Sequence, residues 1–128
     1  MSIAEKLRVL IVDDTTTSRL LVRDSLEQIG VKHVFYANDG QKGLEFMMTT
    51  PAHMVISDVN MPILDGLGLL KAIREYGPTR KVPFIMLTGQ KESTVIQKAA
   101  QLGVNNYLIK PVTPESLKKA IEAIVGKL

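Results

Sequence analysis

Three aspartates, a threonine and a lysine stand where short apolar runs stop. Asp13 and Asp14 follow Ile11-Val12, Asp58 follows Val55-Ile56-Ser57, Thr88 follows Met86-Leu87, and Lys110 follows Leu108-Ile109. Like charges at contact distance oppose one another, so three carboxylates gathered in one small site require a cation. Oxygen donors without His or Cys suit a hard ion that keeps several waters, which points to Mg2+ or Mn2+ rather than zinc. Lys110 adds a compact cation that can grip a phosphoryl oxygen, and Thr88 adds a hydroxyl donor. A carboxylate nucleophile, a metal, a lysine and a hydroxyl are sufficient parts for phosphoryl transfer, which rests on positioning and charge neutralisation. Each part also has a plainer reading. Asp58 can open a turn or cap the next helix, and Asp13-Asp14 can be a helix cap. Thr88-Gly89 alone is a turn, and Lys110 can be a strand-end lysine beside Pro111, whose preceding peptide bond is one of the few that can be cis.

These residues meet only if the runs that carry them are parallel strands. Residues 7–12 form an apolar, β-branched run, after which the hydroxyls of 15–18 suit a helix start and Val22, Leu26 and Ile29 repeat at helical spacing up to Gly30. A second strand over 32–37 ends at Asn38-Asp39-Gly40, and a short helix over 43–48 has Leu44, Met47 and Met48 on its apolar face before Pro51. The run 54–57 is a strand buried on both faces, followed by a helix over 66–76 that Gly77-Pro78 stops. A fourth strand over 84–87 follows Pro83, and Val95, Ala99 and Leu102 mark a helix ended by Gly103. The fifth strand is 106–109, and the last helix carries Leu117, Ile121 and Ile124 behind Thr113 as N-cap and Pro114 at its first position.

Five strands alternating with five helices predict an α/β fold: a doubly wound parallel sheet covered on both faces. In such sheets a ligand binds outside the carboxyl ends of the strands, and all of the polar residues above fall on that edge.

At 128 residues, 45% apolar and 23% charged, the chain is expected to be one domain spanning 1–128 with no output domain. The absence of cysteine excludes disulfides and thiolate metal sites, and no signal core or bilayer-length apolar stretch is present, so a cytoplasmic protein without a membrane partner is expected. The net charge of +3 arises in 91–128, where six lysines (Lys91, Lys98, Lys110, Lys118, Lys119, Lys127) outnumber Glu92, Glu115 and Glu122. That face lacks aromatic platforms and arginine-rich helices, so it reads as solvated surface or a dock for an acidic protein segment, not for nucleic acid. His33 and His53 have no evident partner and are read as incidental, and the methionines as core packing.

Together, Ile11-Val12-Asp13-Asp14, Ile56-Ser57-Asp58-Val59-Asn60-Met61-Pro62 with Asp65-Gly66, Leu87-Thr88, and Tyr107-Leu108-Ile109-Lys110-Pro111 resemble the receiver domain of two-component response regulators. The likeness runs from about residue 7 to residue 124, and it is strongest to the single-domain chemotaxis group, the CheY-like receivers, notably over 55–62 and 66–70. It implies a flavodoxin-like, CheY-like sheet of order 2-1-3-4-5, CheY itself being an example of that order.

The resemblance also implies roles. Asp58 would accept a phosphoryl group from a CheA-like histidine kinase, while Asp13 and Asp14, with Asp58 and the backbone carbonyl of Asn60, would hold Mg2+. Thr88 would bond the phosphoryl oxygen and Lys110 would pair with it. Movement of Thr88 would accompany an inward turn of Tyr107 and reshape the face of the fourth helix, fifth strand and fifth helix, toward a FliM-like flagellar switch protein. The expected state is a monomeric signalling switch that assists its own phosphoryl transfer and dephosphorylation, not an enzyme with an outside substrate. Gln90 and Asn60 occupy positions that tune water access in this family, and the run Thr15-Thr16-Thr17 is a variation of this chain. Val112 stands where many relatives have an aromatic, which leaves open a second role as a phosphate sink that drains the kinase.

Two rivals are weaker. A Mg2+-dependent phosphatase with an aspartyl nucleophile needs a second Asp two residues on as general acid, and that position is Asn60. A flavin site would need a phosphate loop, but the run Thr15-Thr16-Thr17-Ser18 has no glycine and Asp13-Asp14 beside it would repel phosphate.

Overall fold

The computed structural model describes residues 2–89 and 93–128, so Gln90, Lys91 and Glu92 lie outside the described residues. In chain order the elements are α1 (Ile3–Lys6), β1 (Arg8–Val12), α2 (Thr16–Gln28), β2 (His33–Ala37), α3 (Gly40–Thr49), β3 (Met54–Asp58), α4 (Gly66–Glu75), a 3-10 turn (Gly77–Thr79), β4 (Phe84–Thr88), α5 (Ser93–Gln101), β5 (Asn106–Ile109) and α6 (Pro114–Val125). The strands form one parallel sheet of order β2-β1-β3-β4-β5.

Strand side chains alternate between faces, and this divides each apolar run into two cores. Val9 and Ile11 of β1, Met54 and Ile56 of β3, and Ile85 and Leu87 of β4 face α2 and α6, where Val22, Leu26, Leu117 and Ile121 are buried against them. Leu10, Val12, Val55, Phe84 and Met86 face the other way, against Met47 of α3, Leu69, Leu70 and Ile73 of α4, and Ala99 of α5. A sheet covered on both sides explains why the strands read as unbroken apolar runs.

Three local outcomes differ from the expectations. The chain has a further short helix, α1, because Ser2 and Glu5 form a reciprocal capping box. His53 is partnered: the Arg8 backbone N–H donates to its Nδ1 at 3.0 Å, pinning the α3–β3 connection to the start of β1. Met48 is 48% exposed and stands off the α3 face that Met47 buries, because adjacent helical positions point about 100° apart. The helix endings follow expectation, with Gly30 and Gly103 at φ +95° and +87°, a region open to glycine without a Cβ penalty. Among the described residues no helix is long and apolar enough to cross a membrane.

Candidate functional site

The alternation that builds the cores also sorts the polar residues at the strand ends. Asp58 ends β3 on the same face as Met54 and Ile56, and Lys110 continues the parity of Leu108 just beyond β5. Both therefore point to the α2 and α6 side, as does Asp13 in the parity of Ile11. The side chains meet: Lys110 Nζ lies 3.3 Å from Asp58 Oδ2 and 3.5 Å from Asp13 Oδ2. One carboxylate oxygen from each of Asp13, Asp14 and Asp58 lies within 4.8 Å of the others.

The surroundings of the three carboxylates differ. Asp13 is fully buried and held at every polar atom. Its N–H donates to Ala37 O at 3.1 Å, its carbonyl accepts from Arg19 at 3.0 Å, and its Oδ1 accepts from the Thr15 N–H at 2.9 Å, leaving Oδ2 to Lys110. Asp14 is exposed. Asp58, 13% exposed at its side chain, has Oδ1 fixed by the Val59 N–H at 2.9 Å. Burial pushes the Asp58 carboxyl above the usual carboxylate range, Lys110 pulls it back, and the charge of Asp13 adds to the rise. The donor set is all oxygen, one part fixed, one part adaptable and open to water, and this fits a hard divalent cation that keeps several waters.

The plainer readings hold in part. Asp13 does make a local bond to the Thr15 N–H at the start of α2, where Thr15 is the N-cap residue without a side-chain cap bond of its own. Asp58 caps nothing: the N-cap of α4 is Asp65, whose side chain accepts from the Gly68 N–H at 2.8 Å.

Thr88 is buried at the end of β4, and its carbonyl accepts from the Lys110 N–H at 2.8 Å. In register Thr88 faces Ile109 and Met86 faces Tyr107, so Thr88 and Tyr107 belong to the same sheet face, opposite to Asp58 and Lys110. Tyr107 is partly buried against the core on the side of α3, α4 and α5. Asn60 is exposed in the loop after β3. Lys110 and Pro111 are joined by a cis peptide, and Val112 is buried among α2 and α6 residues.

The loop between β3 and α4 is brought against the site by close backbone approach. Gly66 N–H donates to Val59 O at 2.8 Å, and a Cβ on Gly66 would lie 2.3 Å from the Asp58 carbonyl oxygen. Arg19 was not among the expected site residues. Its bond spans six positions within the turn from β1 into α2, a contact that spacing alone does not reveal.

Comparison with known proteins agrees with this geometry. The family described as "Response regulator receiver domain" matches residues 9–122. The chain is 54% identical over 128 residues to the "Probable chemotaxis protein CheY" of Rhizobium etli, covering 100% of this chain and 99% of that one. Its fold matches the crystal structure of Vibrio cholerae chemotaxis protein CheY4 with a TM-score of 0.85 at 32% identity, covering 92% of this chain and 98% of that one. It matches equally the receiver domain of a Pseudomonas aeruginosa sensor histidine kinase solved with a magnesium ion in the active site cleft, with a TM-score of 0.85, 25% identity and coverage of 94% and 98%. With a family match over most of its length and 54% of its residues shared with a CheY relative, the chain belongs to the response regulator receiver domain family, as a receiver of the chemotaxis CheY type.

Proposed function

We propose that Asp58 accepts a phosphoryl group from a CheA-like histidine kinase and that the protein is a signalling switch whose phosphorylated form binds a FliM-like flagellar switch protein. The observation that carries this is the bridging of Asp58 and Asp13 by Lys110 within a group of three carboxylates. An oxygen of Asp58 attacks phosphorus, the new O–P bond forms as the N–P bond of the phosphohistidine breaks, and the donor nitrogen keeps the bonding electron pair. Asp13, Asp14, Asp58 and the Asn60 carbonyl would hold Mg2+, which when bound neutralises charge on the transferring group. Lys110 neutralises a second oxygen, and Thr88, from the end of the neighbouring strand, would have to move to bring its hydroxyl to a third.

The readout face is α5, β5 and α6. Thr88 and Tyr107 share a sheet face, so a shift of Thr88 toward a phosphoryl oxygen vacates space beside the aromatic. Lys98, Lys118 and Lys119 lie on α5 and α6 and suit an acidic segment of a partner. In this reading the protein acts as a monomer in the cytoplasm and turns over no substrate besides its own phosphoryl group.

Beryllofluoride, a phosphoryl mimic, tests the output. With Mg2+ it is expected to load onto the wild type and not onto Asp58→Asn, and to increase affinity for a peptide of the flagellar switch protein. Loading on Asp58 without any gain in peptide affinity would assign the chain to the phosphate-sink role instead.

A further inference from the structure

The turn that carries Asp13 and Asp14 is held from outside by a contact that the roles above leave unused. Arg19, in the first turn of α2, donates from one terminal nitrogen to the Asp13 backbone carbonyl at 3.0 Å and from the other to Thr16 Oγ1 at 3.4 Å. Its guanidinium carbon sits 5.9 Å from the centroid of the Tyr36 ring, over the face of the ring. Tyr36 lies on the edge strand β2, and its hydroxyl accepts from Arg23 at 3.1 Å. Arg23 is itself placed by Asp24 and Glu27, each at 3.6 Å.

Only a planar, forked cation can reach a carbonyl, a hydroxyl and an aromatic face at once; a lysine offers a point charge without that fork. The acceptor matters as well. By bonding a carbonyl and none of the three carboxylates, Arg19 orders the turn without competing with a cation for their lone pairs. Its bond also completes Asp13, whose other polar atoms are taken by Ala37, Thr15 and Lys110. The direction in which Asp13 and Asp14 leave β1 is thereby set before any ion arrives.

We propose that Arg19, held against the Tyr36 ring, is a positioning residue that presets the Asp13–Asp14 turn for a divalent cation. The proposal rests on the metal reading above. Partners that orient ligands from behind are worth tens of fold in metal affinity in other sites.

Calorimetric titration of the full chain with MgCl2 tests it, alongside thermal unfolding in metal-free buffer and amide exchange of Thr15, whose N–H bonds Asp13. Arg19→Ala is expected to weaken Mg2+ binding by roughly tenfold and to speed exchange at Thr15. Arg19→Lys keeps the charge and should not restore either. Tyr36→Leu should weaken binding about threefold through loss of the ring, whereas Tyr36→Phe should match the wild type. A purely structural Arg19 would lower the unfolding midpoint and leave Mg2+ affinity within about twofold, and that result overturns the proposal. Tyr36→Leu decides the matter should Arg19→Ala fail to fold. A wild type that takes up no Mg2+ would overturn the metal reading and this proposal together, which is distinct from wild-type binding that the variants leave unchanged.

Discussion

Lys110 Nζ lies 3.3 Å from Asp58 Oδ2, and the same ammonium reaches Asp13 Oδ2 at 3.5 Å across 97 positions of sequence. This ammonium sits among the carboxylates that would hold a metal ion. It therefore both relieves carboxylate repulsion and opposes a second cation. Lys110→Ala is expected to bind Mg2+ more tightly, by roughly tenfold for a charge a few ångströms away in a partly solvated site. The same variant should retain beryllofluoride less well, since a bound phosphoryl group loses its partner. Calorimetry checks both, and weaker Mg2+ binding would contradict the competition.

Asp58 has a second consequence, in stability. Its carboxyl is raised by burial above its value in the unfolded chain, so protonation favours the folded state. The stabilisation is complete below the ordinary carboxylate pKa and is lost as pH rises through the raised folded value. At neutral pH the ionised group is a net cost to the metal-free protein. Asp58→Asn should then unfold at a higher temperature than wild type in chelator, with the gap closing on acidification and shrinking when Mg2+ is added. Thermal melts from about pH 4 to about pH 8 check this, and equal midpoints at neutral pH without metal would refute it.

Gly66 tests how tightly the β3–α4 loop must lie against the site. A Cβ there would meet the Asp58 carbonyl oxygen at 2.3 Å and Met86 Sδ and Val59 Cα at 2.9 Å, so the backbone behind Asp58 must shift. Gly66→Ala is expected to lower stability by about 1–3 kcal/mol, the usual cost of overpacking. Gly77→Ala, where a Cβ meets nothing within 4 Å, is the comparison and should be near neutral in chemical denaturation.

Ile63 carries strain in the same loop. It is the one non-glycine residue at positive φ among those described, at 71°, and it is 80% exposed, so little packing compensates. The Leu64 N–H donates to the Pro62 carbonyl at 2.7 Å around it, a γ-turn of positive φ that a β-branched residue tolerates poorly and the smaller Asn tolerates better. Ile63→Asn should stabilise the protein by about 1 kcal/mol, read as a higher urea midpoint at unchanged slope. A loss of stability would show that Ile63 makes contacts worth more than its strain.

The β-branched runs and the polar residues that end them made the sheet and the edge that carries the candidate site legible, because a buried parallel strand tolerates no charge until it leaves the core. Thr113 and Pro114 likewise announced α6, where the Thr113 side chain accepts from the Ser116 N–H at 3.0 Å. The strand order came through family resemblance, since pairing between distant runs leaves no local trace. Other features were hidden for the same reason. The bond from Arg8 to His53 joins residues 45 apart, and Arg19 reaches Asp13 only through the way the turn into α2 folds back. Helix α1 had a readable signal in Ser2 and Glu5, but four residues are too few to show apolar periodicity. Val112, one residue after a proline, shows no periodicity that marks it as buried, yet it packs with Leu117 and Ile121.

Asp58 as phosphoacceptor is tested most directly by transfer of label from a radioactive phosphohistidine kinase or from acetyl phosphate with Mg2+ present. A single base-labile, acid-stable phosphoryl group is expected on the wild type, abolished by chelation of Mg2+ and by Asp58→Asn. Equal labelling of Asp58→Asn would contradict it.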